Sequence, residues 1–252
     1  MKLAKNLAIS SFILSLSGMT LNPLLAAELT RLQVKTLLKS ATKSHVADLR
    51  RKDLTGLDLS KLDFRHADLW GADLRGANLS HSNLSGLVLD LTVMTGINLS
   101  HANLSNVSIF GVSMMRSNLS HANFSGSRVI ANLDNSDMRY ANLTNIRWGA
   151  DMKNQPMGLM RVSLNKVNLS HATINNADLS RATLHFANLS NSTINNTNLL
   201  SAKLVAANFS DANINNVDFT STKLTDANFS HATLKNSSFD KVQGLNSVRG
   251  LK

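Results

Sequence analysis

A hydrophobic residue returns at every fifth position along most of the chain, as in Ala67-Asp68-Leu69-Trp70-Gly71, Ala72-Asp73-Leu74-Arg75-Gly76 and Ala77-Asn78-Leu79-Ser80-His81. A helix repeats every 3.6 residues and a flat strand every two, so a strict five requires the backbone to turn a corner once per repeat and stack on itself. With the central apolar residue of each repeat taken as its centre, seventeen centres run in step from Leu49 to Val129. Leu133, Met138 and Leu143 follow one residue early, residues 144–163 read as irregular, and Leu164 restores the phase for sixteen more centres through Phe239. All 36 centres are Leu, Ile, Val, Met or Phe, and the residue two before the centre is Ala, Ser, Thr or Val in 31 of them. One large and one small inward residue per repeat suits a narrow, filled core.

A second period sets the cross-section. Ile174-Asn175-Asn176, Ile194-Asn195-Asn196 and Ile214-Asn215-Asn216 recur every twenty residues, as do Asn78-Leu79-Ser80-His81, Asn98-Leu99-Ser100-His101 and Asn118-Leu119-Ser120-His121. Twenty residues are four repeats, so each turn has four sides, each a very short strand and a corner. Successive turns pair as parallel strands do, at about 4.8 Å, and nine turns give a rod of roughly 40–45 Å. Asn or Asp before the centre and Ser or Thr after it suit the corners, because their side chains bond nearby backbone groups.

These residues resemble the pentapeptide repeat family, whose pattern is Ala, then Asp or Asn, then Leu or Phe, then two variable positions. The resemblance covers about residues 47–241 apart from the break. It implies an all-β fold, a right-handed quadrilateral parallel β-helix with the centre and the small residue inside. It implies little about activity, since members have varied roles; the best-understood imitate duplex DNA and bind type II topoisomerases, giving quinolone resistance.

Both ends of such a solenoid need covering. Leu29, Leu32, Leu37, Leu38 and Ala41 recur at helical intervals beside Arg31, Lys35, Lys39 and Lys43, so residues 28–46 are expected to form an amphipathic capping helix with a basic outer face. A membrane-surface helix carries the same signature. Residues 242–252 are expected to form a short C-terminal cap or tail without an evident dimerisation helix. Before the helix, Lys2 and Lys5 precede an apolar run from Leu7 to Leu21, and Leu25-Ala26-Ala27 offers small residues to a signal peptidase. Residues 1–27 therefore read as a cleaved signal peptide, and the protein as periplasmic or secreted.

Composition narrows the chemistry. The chain of 252 residues has no cysteine, so disulfides and thiolate metal sites are excluded, and its formal charge is +10. Removing residues 1–27 subtracts Lys2 and Lys5 and no acid, leaving +8, which suits an anionic surface or polyanion as partner. A core packed with Leu and Ala has no pocket in which catalytic groups converge, so a non-enzymatic role with no small-molecule substrate and no cofactor is expected. His81, His101 and His121 stack one per turn and are weak candidates for a zinc or copper site; the alternative is a solvated ladder that repels itself at low pH.

Partner binding is expected at two places. Trp70, Phe110 and Ile130 share the position after the centre at multiples of twenty and should point outward on one side, with Leu91 close by and Asp90 interrupting. The stretch from Gly149 to Met160, with Met152, Pro156 and Met157, fits no repeat and reads as a projecting loop that either recognises a partner or has no role. Arg50, Arg51, Lys52, Arg65 and Arg75 alternate with aspartates and should form salt-bridged outer ladders. Two functions follow: an exported scaffold for protein–protein interaction, or a basic binder of polyanions or membrane surfaces. A topoisomerase-binding DNA mimic ranks below both, because the chain is basic and carries an export signal.

Overall fold

The computed structural model describes residues 28–150 and 161–251. The chain is a parallel β-solenoid with four sides per turn. Its regular elements are the helix α1 (Arg31–Ser40), short strands β1 (Ala47–Asp48), β2 (Ala67–Asp68), β3 (Ser108–Ser113), β4 (Arg128–Asn132), β5 (Thr173–Asn175), β6 (Thr193–Asn195), β7 (Asn213–Asn215) and β8 (Thr233–Lys235), and a 3-10 turn at Leu245–Ser247. Strands β1–β2, β3–β4 and β5–β6–β7–β8 pair in parallel, and single parallel bridges such as Asp58↔Asn78↔Asn98↔Asn118 continue the ladders between them.

The repeat explains each corner. The Leu79 N–H donates to the Asn98 carbonyl at 2.7 Å, and the Asn98 N–H donates back to the Ala77 carbonyl at 2.9 Å, binding one turn to the next. The Asn98 Oδ1 accepts from the Ser100 N–H at 3.1 Å while its Nδ2 donates to the Asn78 Oδ1 at 3.0 Å, so one amide closes the local turn and joins the ladder. The residue after that serine takes positive φ, for example His81 at 59° and Asn191 at 57°. Such a conformation is strained for most side chains and persists because the ladders on both sides enforce it.

The centres fill the interior. Leu54, Leu79, Leu119 and Leu189 are buried, and the phenylalanines stack as same-face pairs, Phe209 on Phe229 at 4.6 Å and Phe219 on Phe239 at 4.8 Å, with edge-on contacts between opposite faces. Where the small inward residue is polar, the neighbouring turn satisfies it: Ser82 Oγ donates to the Leu59 carbonyl at 2.9 Å and accepts from the Leu62 N–H at 3.1 Å.

The capping helix is present but shorter than residues 28–46, and it lies on a different face. The Thr30 and Gln33 side chains and backbone form a capping box at its start. Val34 is fully buried, and Leu29, Leu38 and Ala41 pack against the core, whereas Leu32 and Leu37 face outward. The orientation follows from Arg31, which is not on an outer face: its guanidinium donates to the carbonyls of Asp58 and Ser60. Lys52, in the first turn, stands where later turns have a small inward residue and instead reaches Glu28 beside the helix.

The irregular region also differs from the expected 144–163. The bridges Asn118↔Asp137 and Asn123↔Asn142 span nineteen residues, and Asn142↔Thr173 and Arg147↔Asp178 span thirty-one. One residue is therefore lost at the corner between Val129 and Leu133, where Val129, Ala131 and Leu133 all face inward, and eleven are added after Trp148. Residues 144–150 continue the repeat. Ile146 takes the small-residue place, Trp148 is a buried centre edge-on to Phe124 at 5.3 Å, and the Ala150 N–H still donates to the Ser180 carbonyl. Trp148 keeps the five-residue step from Leu143 but escaped the pattern because no other centre is a tryptophan and the irregular stretch follows directly. The inner slot also needs a partner for the indole, supplied by Ser127 Oγ at 3.0 Å from Nε1.

Placing Trp148 inside yields a direct test. Trp148→Ala is expected to destabilise the fold by about 3–5 kcal/mol in urea denaturation. Trp148→Phe should leave the emission of the exposed Trp70 alone in the fluorescence spectrum. A red-shifted, quencher-accessible Trp148 would place it outside.

Candidate interaction surface

Because the interior is filled, the chemistry available to partners lies on the outer columns. Residues before and after a centre flank an inward side chain, so both point outward on one face and can pair. Four arginines do this with the aspartate two residues earlier: Arg50 with Asp48 at 2.9 Å, Arg65 with Asp63 at 2.7 Å, Arg75 with Asp73 at 2.6 Å and Arg139 with Asp137 at 2.7 Å. The expected salt-bridged ladders are thus mainly pairs within a turn; Arg50 also approaches Asp68 of the next turn at 3.7 Å. The hydrogen bond from Arg50 holds the Asp48 carboxyl down to about 2. Arginine bonds likewise lower Asp63, Asp73 and Asp137, and bonds from Thr55 and Ser60 lower Asp53 and Asp58. Exposed pairs of this kind contribute little each, but they neutralise the arginines of the first turns.

The apolar stripe expected on one side is not continuous. Trp70 is exposed and carries the Arg51 guanidinium over its ring at 4.8 Å. Phe110 is half-buried, and Ile130 is only 3% exposed, so it does not point into solvent. Ile130 lies at the corner that has lost a residue, where a single residue instead of two separates the inward Val129 and Ala131, and it is covered without joining the core. Leu91 is exposed as expected. Around it the structure adds Val88 and Val93, which stand where most repeats have Asn or Asp. That substitution was the available signal. Asp90 lies among these residues with its Oδ1 buried and without a hydrogen-bond partner among the described residues. Met152, Pro156 and Met157 lie outside the described residues.

The three histidines are brought together, with two further rings that the twenty-residue count passed over. His81, His101, His121, Tyr140 and His171 form one exposed column, their rings stacked at 4.7, 4.4, 4.7 and 4.7 Å and within 8° of parallel. Parallel rings direct their nitrogen lone pairs side by side, not toward one point, so the stack is not a metal-binding arrangement, and no cluster of three metal-ligating side chains occurs among the described residues. Tyr140 and His171 went unnoticed because the missing residue and the later insertion move them out of phase.

On another face, Asp134 organises a polar cluster, accepting from Ser163 Oγ at 2.6 Å and from the Asn165 N–H at 2.8 Å. Nearby His185 is pushed below the usual imidazole value by burial, then by Lys203 and Lys223. No helix among the described residues is long and apolar enough to cross a membrane.

The sequence pattern of the family described as pentapeptide repeats matches this chain in eight copies, over residues 47–71, 58–96, 72–109, 97–129, 163–199 and 202–240. Among solved structures, the chain is similar to HetL, a pentapeptide repeat protein involved in heterocyst differentiation regulation from the cyanobacterium Nostoc sp. strain PCC 7120. That pair shares 25% identity over 78% of this chain and 87% of HetL, with a TM-score of 0.41. It is also similar to full-length QnrB1, a plasmid-mediated fluoroquinolone resistance protein, at 14% identity over 76% of this chain and 90% of QnrB1, with a TM-score of 0.40. A pentapeptide repeat protein of the Arabidopsis thaliana thylakoid lumen shares 27% identity over 32% of this chain and 59% of its own, with a TM-score of 0.23. No curated protein matches the chain.

The lowered carboxyls set an acid limit on the fold. Their folded values lie below the unfolded one near 4, so their stabilisation is present above about pH 4 and is lost as pH falls below it through the folded values. The thermal midpoint followed by circular dichroism should drop across that window. With Asp63→Asn, Asp73→Asn and Asp137→Asn combined, which keep the turn-forming oxygen, the drop should be shallower.

Proposed function

The chain belongs to the pentapeptide repeat family, and we propose that it acts as an exported, non-enzymatic scaffold that presents one outer face to another protein. The observation that carries this reading is the patch of Trp70, Val88, Leu91 and Val93 around Asp90. Large apolar side chains are normally kept apart on a free surface, and a buried carboxylate oxygen without a donor costs free energy until a donor arrives. A partner that covers the patch and donates a hydrogen bond to Asp90 relieves both. Interfaces favour this composition, an apolar and aromatic centre ringed by polar groups, here the paired arginines and aspartates of the first turns.

A filled core and convex faces support a role without catalysis. Export rests on residues 1–27, with cleavage near Ala27. The quinolone-resistance role belongs to QnrB1; an imitation of duplex DNA requires dense negative charge, about one per 1.7 Å of axis, whereas this chain carries a formal +10.

Trp70→Glu with Leu91→Glu is expected to weaken retention of the partner from a cell-envelope extract by about tenfold or more, with unchanged circular dichroism. Equal retention by both proteins would move the interface elsewhere. The location has its own measurement: mass spectrometry of the protein recovered from fractionated cells should find a chain beginning at Glu28 in the periplasm or medium. A cytoplasmic chain with residues 1–27 intact would refute export.

A further inference from the structure

We propose that the column of His81, His101, His121, Tyr140 and His171 is an acid-switched binding strip for a linear polymer bearing repeated sulfate or phosphate groups. Imidazole changes charge between about pH 5 and 8, and when charged it donates through both ring nitrogens. Here four imidazoles stand in one straight, exposed line, the first three 4.7 and 4.4 Å apart. Stacking covers the faces of the inner rings and turns their edges outward, so the donors gained on protonation lie in a row along the rod. Uncharged, the rings form a neutral stack. Charged, neighbouring rings repel, and a chain of oxyanions laid along the column screens that repulsion. Binding and protonation therefore reinforce each other, as linkage requires.

The surroundings suit such a switch. On the same face the rings are flanked by Asn78, Asn98, Asn118, Ser80, Ser100 and Ser120, and across the corner by Asn83, Asn103 and Asn123, all neutral. Asn98 uses one amide N–H in the ladder to Asn78 and keeps its second as a donor for an oxyanion. The ionisable groups along the strip are few. Lys61 stands one turn before His81 and adds to the positive charge. Asp137 faces His121 but is held by Arg139 at 2.7 Å, so the two largely cancel beside Tyr140. Beyond His171 the column continues through Asn191 to Asp211, which lies 3.4 Å from His231. Asp58 and Asp63 flank Lys61 one turn before Asn78 and Asn83, but they are paired with Arg31 at 3.3 Å and Arg65 at 2.7 Å, so protonation of the stacked rings changes the net charge of the surface instead of completing an existing ion pair. Tyr140, stacked at 4.7 Å between His121 and His171, separates the charge of His171 from the other three and offers its ring to both.

The test measures binding of two probes, dextran sulfate and inorganic polyphosphate, to the full chain at about pH 5 and about pH 7.5, at one ionic strength. The native chain should bind at least one of them about tenfold more tightly at the lower pH. A gain with only one probe identifies sulfate or phosphate as the group preferred. His81→Asn, His101→Asn, His121→Asn and His171→Asn combined should abolish the gain and leave affinity at the higher pH unchanged. Asn is the residue this chain itself places at the same corner at Asn191, with φ of 57°, so the backbone is not asked to change. His45→Asn, His66→Asn and His231→Asn combined, which leave the stack intact, should keep the gain. Should the fourfold variant lose its native circular dichroism, His101→Asn alone, at the middle of the first three rings, is expected to lower the gain at least threefold. No gain on acidification with either probe, or the same gain after the stack is removed, overturns the proposal.

Discussion

The structure depends on one constraint: each turn hydrogen-bonds directly onto the one before it, in a register of twenty residues. That register makes every position a neighbour of its equivalent one turn away, inside and out. Inside, it stacks Phe209 on Phe229 and Phe219 on Phe239. Outside, it lines up Asn78 with Asn98 and His81 with His101. A column of like residues at strand spacing is a natural product of this geometry, and its consequences depend on the side chain. Amides gain a hydrogen bond from each neighbour, aliphatic chains gain packing, and imidazoles gain stacking only while uncharged.

The exterior changes along the rod. The first turns carry aspartates paired to arginines within the same turn, which suppresses a large field of either sign. The third turn replaces the polar residue before the centre by Val88 and Val93 and exposes Leu91, producing the one group of neighbouring apolar residues described above. From Thr173 onward one face becomes an amide ladder, in which Asn195 bonds Asn175 at 3.0 Å and Asn216 bonds Asn196 at 2.8 Å. The core is nearly uniform throughout, so differences in recognition must come from these surface columns.

Much of the architecture was legible in the sequence because the five- and twenty-residue periods are imposed by the same ladders that hold the fold. The chain itself displays which residues face inward, how many sides a turn has, and that a helix covers the first turn. The failures cluster where the register changes. Losing one residue near Ile130 and gaining eleven after Trp148 are small edits in a sequence but reassign which column each following residue joins, so Tyr140 and His171 joined the histidines. The helix was misjudged for another reason: Leu32 and Leu37 look as apolar as Val34 and Leu38, and only the docking of Arg31 onto backbone carbonyls decides which pair is covered. The candidate surface was least legible, since whether an outward Trp or Phe is exposed depends on its neighbours in adjacent turns.

The position of α1 has a mechanical consequence. Bonds between turns run along the rod, so a pull on its two ends loads them one after another and the coil peels from whichever end yields first. At the N-terminal end the first turn is not left to its own ladder: Arg31 grips the carbonyls of Asp58 and Ser60, and Lys52 holds Glu28. Tension entering from that side must break this clasp before it reaches the first turn. Among the described residues the last turns carry no such helix; there Val242, Val248 and Leu251 pack against the core, and the Phe229 N–H donates to the Arg249 carbonyl at 2.7 Å. Resistance to a pull on the N-terminal side therefore depends on side chains gripping the first turn as well as on the backbone ladder.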